Sequence, residues 1–354
     1  MKNDRPGFLI VGGGLAGICI ARRLWEQGLR FSLVDSGRNT GSRVAAGIIN
    51  PLVFRRMTKS WRVDEALPVA VDFYRGLSRE WGAEYFEEIP IRRAFAHKQE
   101  EDLWIAKQHM PDFSPYMKTL EAADYACDSV KNTFGTGVVL QAGFVRTVPF
   151  LEDARKWLKA EGVLVEEAFD HAQLDPETAT YKGTEYQQVI FCEGYQAIYN
   201  PWFSYLPVQA TKGEILTIAS KEIPGDELLN RKCFILPVGA QTFKLGATYK
   251  WDSPNTEITD EGREEIMENA RSLTPAAFSI VRQEAGVRPT VPDRRPLVGT
   301  HPDFPKLTIF NGLGAKGYMT APLLSHEFVG YLKKEIFLST EINIDRYIKL
   351  HQNK

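Results

Sequence analysis

Phe8-Leu9-Ile10-Val11-Gly12-Gly13-Gly14-Leu15-Ala16-Gly17 opens with an apolar run that stops at a glycine cluster spaced G-x-G-x-x-G (Gly12, Gly14, Gly17). A helical pattern follows at once. Leu15, Ile18, Ala21, Leu24 and Trp25 fall on one face, with Arg22, Arg23, Glu26 and Gln27 opposite. Gly28 ends that helix, and Phe31-Ser32-Leu33-Val34 makes a second strand closing on Asp35. Each part has a physical task. Gly12 permits the tight strand-to-helix turn, Gly14 lets backbone approach a pyrophosphate, and Gly17 lets helix and sheet pack closely. The unpaired N–H groups at the helix start favour an anion. Asp35 lies about 18 residues beyond Gly17, where a carboxylate accepts bonds from an adenosine ribose. The context is that of a dinucleotide-binding turn. A free carboxylate disfavours a ribose 2′-phosphate and hence NADP, while the motif alone leaves NAD and FAD open.

At 354 residues the chain has room for two domains and a substantial core. Its 44% hydrophobic and 25% charged residues are ordinary for a soluble globular protein, and a net charge of -2 gives no global pull towards nucleic acid. Cys19, Cys127, Cys192 and Cys233 are far apart and form no C-x-x-C pair, which fits reduced, packed thiols. The glycines between Phe8 and Ala21 argue against a signal-peptide core, and nothing else approaches a membrane span, so a cytoplasmic protein is expected.

Further along, Gly41-Ser42-Arg43-Val44-Ala45-Ala46-Gly47-Ile48-Ile49-Asn50-Pro51 is small and nearly apolar, suited to backbone lying close to a flat ligand or to an ordinary buried loop. Helical spacing covers 64–82, 150–158 and 260–272, and Val163-Leu164-Val165 and Gln187 to Gly194 read as strands of the first domain. Strand-like runs at 214–218, 233–238 and 242–248 come in succession, which suggests an antiparallel sheet. Then comes Ala285-Gly286-Val287-Arg288-Pro289, followed by Pro292-Asp293, the strand 307–310 and Asn311-Gly312-Leu313-Gly314-Ala315-Lys316-Gly317-Tyr318. That second glycine-rich turn is the other candidate anion or dipole site, with its helix expected to start near Pro322 at N1.

In these blocks the chain resembles the FAD-dependent amine and amino-acid oxidases of the D-amino-acid oxidase, glycine oxidase and sarcosine oxidase superfamily. The likeness spans nearly the whole sequence. It implies an α/β plus α+β architecture: a discontinuous Rossmann-like FAD-binding domain (1–89, 142–206 and 281–354) and a substrate-binding domain on a mainly antiparallel sheet (90–141 and 207–280). It implies FAD held by Gly12, Gly14, Leu15, Ala16, Gly17, Asp35, Ser36, Arg43, Ala45, Ala46, Gly47 and Gly194. From the second turn it adds Gly312, Gly314, Ala315, Lys316, Gly317 and Tyr318.

Matching the family's Gly-Leu-Arg-Pro block to Gly286-Val287-Arg288-Pro289 makes Arg288 the expected anchor of a substrate carboxylate. Its planar fork suits that partner, although by residue type alone a structural ion pair serves as well. Lys316 is expected at the flavin or the substrate, and Tyr249 and Trp251 as pocket walls or as core. The cysteine that bonds flavin covalently in sarcosine oxidases is replaced by Gly286, so non-covalent FAD is expected. Glu193-Gly194 departs from the family's Thr-Gly.

Ala-Ala-Gly-Ile-Ile-Asn-Pro and Gly-Leu-Gly-Ala-Lys-Gly are most similar to the oxidase domain of a bifunctional tRNA wobble-uridine modifying enzyme. The expected partner is a small amine or amino acid, with tRNA as an alternative substrate and a non-catalytic FAD-binding protein as a third reading. The six histidines form no metal-ligand cluster, and no G-x-S-x-G or Walker motif is present. Electron acceptor and oligomeric state are not legible.

Overall fold

A computed structural model describes residues 7–38, 40–251 and 253–352, so the outermost ends of the expected first domain (1–6, 353 and 354) lie outside the described residues. Its first sheet has six strands in the order Leu164–Val165, Phe31–Val34, Phe8–Val11, Gln188–Phe191, Leu307–Asn311 and Leu297–Thr300. The first five are parallel and the last is antiparallel.

Alternation along the strands sends side chains to both faces, as a doubly covered sheet requires. Phe8, Ile10, Leu33 and Phe310 pack under helices Leu15–Glu26, Thr147–Ala160 and Gly317–Leu332. Leu9, Val11, Val189 and Ile309 pack on the opposite face, against Leu174, Tyr181 and Phe203. Trp25, expected on the apolar face of its helix, is 40% exposed and meets Trp157 edge-on at 5.8 Å instead.

The second sheet has seven strands in the order Ser279–Thr290, Gln209–Ala219, Thr242–Gly246, Phe234–Gly239, Leu228–Asn230, Ile91–Ala94 and Thr136–Val139. All neighbours are antiparallel except Leu228–Asn230 with Ile91–Ala94. The strand Ser279–Thr290 runs across the expected 280/281 division. Leu216, Ile218, Phe243 and Leu245 bury one face against Ile266, Ala270 and Leu273 of helix Asp260–Leu273. That helix starts at Thr259, whose hydroxyl accepts from Gly262 N at 3.0 Å, while buried Glu214 accepts from the Thr259 backbone N–H and hydroxyl. The opposite face of the sheet, carrying Gly213, Ile215, Phe234 and Arg288, lines a cleft against the first domain's turns.

The last long helix departs from its expected start. It begins at Gly317, so Pro322 lies inside it. An interior proline leaves the carbonyl four residues back without its donor. Here that carbonyl belongs to Tyr318, and it accepts from the Tyr74 hydroxyl at 2.9 Å. Tyr74, from helix Val63–Trp81, supplies what the sequence around Pro322 lacks.

Candidate active site

The cleft encloses about 470 Å³ between the two sheets. One end is built by the first glycine turn. Gly12 has φ +102°, and a Cβ there would sit 2.6 Å from Cys192 O. A Cβ on Gly17 would sit 1.9 Å from Gly12 O. Both glycines are therefore required by backbone lying against backbone. Asp35 is buried and accepts from Gly13 N at 3.0 Å and Gly37 N at 2.9 Å. Its second oxygen also takes Arg155 Nη1 at 2.8 Å. Arg155 went unnoticed in the sequence because helical periodicity assigns it only to a polar face.

Gly14, Leu15 and Ala16 line the cleft at the helix start, and the Gly14 N-cap has no side chain to take the first-turn N–H groups. Ser42 Oγ accepts from Leu15 N at 3.1 Å, and Ser42 O accepts from the Tyr318 hydroxyl at 2.9 Å, which ties the two glycine turns together. Gly47 has φ +72°, and its missing Cβ would lie 2.2 Å from Val145 O, so the Ala45-Ala46-Gly47 loop is pressed flat along the cleft wall.

Two residues expected at the cofactor are turned elsewhere. Arg43 pairs with Glu152 at 2.8 Å on the surface of helix Thr147–Ala160, where an exposed carboxylate satisfies it. Ser36 is exposed beyond Asp35 and does not line the cleft. Gly12, Gly17 and Gly312 act from beneath, shaping backbone. Gly194, Gly314, Ala315, Lys316, Gly317 and Tyr318 all reach the lining.

The second turn differs in construction. Asn311 Nδ2 donates to Gly194 O at 2.8 Å, and its Oδ1 accepts from Gly312 N at 2.8 Å, joining two strand ends. A short 3-10 turn, Gly314–Lys316, precedes the helix. The Lys316 ammonium donates to Asn50 O at 2.9 Å, Leu52 O at 3.4 Å and Ser60 Oγ. No carboxylate accompanies it among the described residues, and burial pulls its pKa down to about 8. All three donors thus hold the Asn50–Ser60 loop, and none is left over for the flavin or substrate contact expected from the sequence.

Glu193, the departure noted above, lines the cleft, with its carboxylate engaged by neighbouring side chains. It accepts from Asn200 Nδ2 at 2.7 Å and meets His171 Nε2 at 2.8 Å. Tertiary contacts thus account for a residue that the sequence left unexplained.

At the far end, Arg288 stands on Ser279–Thr290 and lies over Gly213, where a Cβ would come within 2.2 Å of its guanidinium. Its Nη1 faces Thr248 O at 3.4 Å, and its Cζ stacks 4.4 Å from the Tyr249 ring centre. Among the described residues no carboxylate pairs with it. Burial disfavours its charge and lowers its pKa, so an anion brought beside it would offset that desolvation. Tyr249 lines the cleft and Trp251, 6.2 Å from it, is 55% exposed, so this pair forms a rim and not core.

Lys244, which the sequence did not single out, donates to Ala45 O at 3.3 Å, and burial depresses its pKa. Alternation along Thr242–Gly246 was its only sequence signal.

The first glycine turn, a flat small-residue wall and a guanidinium without a carboxylate partner among the described residues meet in one cleft. The chain belongs to the FAD dependent oxidoreductase (DAO) family, whose model matches residues 8–329. It is an FAD-dependent oxidoreductase, and the reading of a non-catalytic flavin-binding protein falls away. It is 24% identical to glycine oxidase of Bacillus subtilis (strain 168), over 95% of this chain and 94% of that protein. It is 21% identical to the tRNA 5-methylaminomethyl-2-thiouridine biosynthesis bifunctional protein of Legionella pneumophila subsp. pneumophila, over 95% of this chain but only 55% of that one. In fold it superposes on glycine oxidase from Geobacillus kaustophilus with a TM-score of 0.79 at 18% identity, covering 97% and 98% of the two chains. No helix among the described residues is long and apolar enough to cross a membrane.

The cleft fits FAD. Gly194 (φ +61°) and Gly314 (φ +57°) have nothing within 4 Å of a Cβ position, which leaves open space along the lining. Cys192 and Gly286 line that space as well; the latter has no side chain to bond the cofactor.

Proposed function

We propose that the protein oxidises the C–N bond of an amine bearing a carboxylate, with non-covalently bound FAD as oxidant. The observation that carries this reading is Arg288, a partly buried guanidinium with no carboxylate partner among the described residues, set on the cleft wall. FAD supplies the hydride-accepting chemistry when bound. Gly14, Leu15 and Ala16 would hold its pyrophosphate, Asp35 its ribose, and the Ala45–Gly47 loop its ring system.

Arg288 takes the substrate carboxylate and so orients the reacting carbon, while Tyr249 closes over the guanidinium and limits water. The positive charges of Arg288, Lys244 and Lys316, although burial lowers the pKa of each, disfavour a substrate ammonium and favour the reactive neutral amine. No side-chain base is required.

Anaerobic mixing of the FAD-loaded protein with glycine, sarcosine, proline and other D- and L-amino acids tests the reading. Bleaching of the flavin band by one of them is expected. Arg288→Ala should weaken carboxylate-bearing substrates by about 2–5 kcal/mol in kcat/KM. An unchanged KM removes Arg288 from this role.

A second reading, removal of a carboxymethyl group from a modified tRNA wobble uridine, is favoured by the match to the bifunctional tRNA protein over 95% of this chain. Turnover on modified tRNA with steep salt dependence, and none on free amino acids, would select it.

A further inference from the structure

Beyond Arg288 the same cleft reaches a second set of donors. Asn230 and Lys232 stand on its wall, at the end of strand Leu228–Asn230 and in the turn before Phe234. The Asn230 amide is fixed from behind. Its Oδ1 accepts from Arg93 Nη1 at 2.7 Å. Arg93 is buried, donates to Glu100 at 2.8 Å and stacks 4.7 Å from the Phe54 ring. With the carbonyl oxygen taken, the Asn230 NH₂ has no partner among the described residues. Lys232 is exposed and pairs with no carboxylate among the described residues.

Among the described residues the charges along the cleft are Arg38, Glu193, Lys232, Arg288 and Lys316. The single acid, Glu193, is engaged by His171 and Asn200. Lys316 is engaged by loop oxygens, and Arg38 follows Asp35 at the nucleotide end. Two donor sets remain for substrate, and among the described residues neither has a carboxylate partner; Arg288 has only the long contact to Thr248 O.

We propose that the Asn230–Lys232 edge is a second anion-binding subsite, so that the preferred substrate is an amine carrying two acidic groups. One acid sits on Arg288 and the other on the Asn230 amide and the Lys232 ammonium. This deepens the proposed C–N oxidation and rests on it through Arg288. A donor-only edge rewards an acceptor and gains most from a charged one. A single-acid amine leaves both groups to water.

The FAD-loaded protein is titrated with thiodiacetate and with methylthioacetate, unreactive analogues of iminodiacetate and sarcosine, while flavin absorption is followed. The diacid should bind roughly tenfold or more tightly than the monoacid. Lys232→Met should abolish that preference and leave methylthioacetate within about twofold. Asn230→Asp keeps an acceptor for Arg93 but aims an oxygen at the subsite, and should reverse the preference.

Turnover on iminodiacetate against sarcosine, and on 5-carboxymethylaminomethyluridine with and without a 5′-phosphate, tells a carboxylate from a nucleotide phosphate as the second acid. A preference in either pair supports the subsite. Equal binding of diacid and monoacid together with no preference in either turnover pair, or a preference untouched by both variants, overturns the subsite and leaves the Arg288 reading standing. Binding of neither acid overturns both.

Discussion

The two glycine-rich turns look alike as sequence and are held in opposite ways. At Gly12–Gly17 the contacts are backbone on backbone, and a single methyl at Gly17 would lie 1.9 Å from Gly12 O. At Gly312–Gly317 the glycines have room or meet mainly side chains, with Leu297 N the one backbone atom near, at 3.2 Å from a Gly312 Cβ. A Cβ on Gly312 would face Val291 and Leu297 side chains, and one on Gly314 would meet nothing within 4 Å. That turn is held by Asn311, Lys316, Tyr318 and Tyr74 reaching across the fold. The first turn is thus a steric solution any chain with that spacing can reach, and the second is a set of tethers that exists only after folding.

Gly17→Ala should do the greatest damage, because neither the strand nor the helix can yield. A loss of about 3 kcal/mol is expected, with FAD content of the purified protein and its melting temperature as readouts. If Gly17→Ala retains full FAD, the first turn is not the rigid partner.

Lys316→Met comes next. It removes the ammonium shared by Asn50 O, Leu52 O and Ser60 Oγ, leaving Ser60 Oγ its bond to Asn50 O, at a cost of about 2 kcal/mol in chemical denaturation at neutral pH. Its pH dependence has a defined sign. The folded-state pKa of about 8 lies below the free value, so between pH 8 and about 10.4 the unfolded chain holds a proton that the folded chain gives up. The stability of wild type relative to Lys316→Met should therefore rise across that window. A flat difference would mean that the ammonium is not enclosed.

Gly314→Ala should cost about 1 kcal/mol, from the left-handed backbone alone, and leave FAD bound. Tyr74→Phe is the mildest. It removes the bond to Tyr318 O beneath Pro322 and should lower stability by about 1 kcal/mol or less, without changing substrate KM.

Much of the frame was legible beforehand. The parallel core strands follow from apolar runs ending at glycine, and the first cradle follows from spacing that leaves few steric alternatives. The antiparallel sheet showed as strand runs in succession. The helix start near Pro322 was misjudged, because the proline rule presumes that nothing else can satisfy the orphaned carbonyl, and Tyr74 does so from about 240 residues away in sequence. Arg43 was drawn off by Glu152, and Arg155 took an unforeseen place on Asp35, since ion pairing depends on which helix lies alongside.

What the sequence determined by itself is local: where backbone must bend, which faces must be buried, and that one turn can cradle a pyrophosphate. These follow from sterics and periodicity within a dozen or so residues. The tertiary structure alone decided which polar groups stay unpaired. Among the described residues Lys316 and Glu193 found partners in other segments, whereas Lys232 and the Asn230 amide did not, and Arg288 found only Thr248 O and the Tyr249 ring. A charge is free or satisfied only with respect to neighbours that folding brings near, and those free donors are the chemistry offered to the substrate.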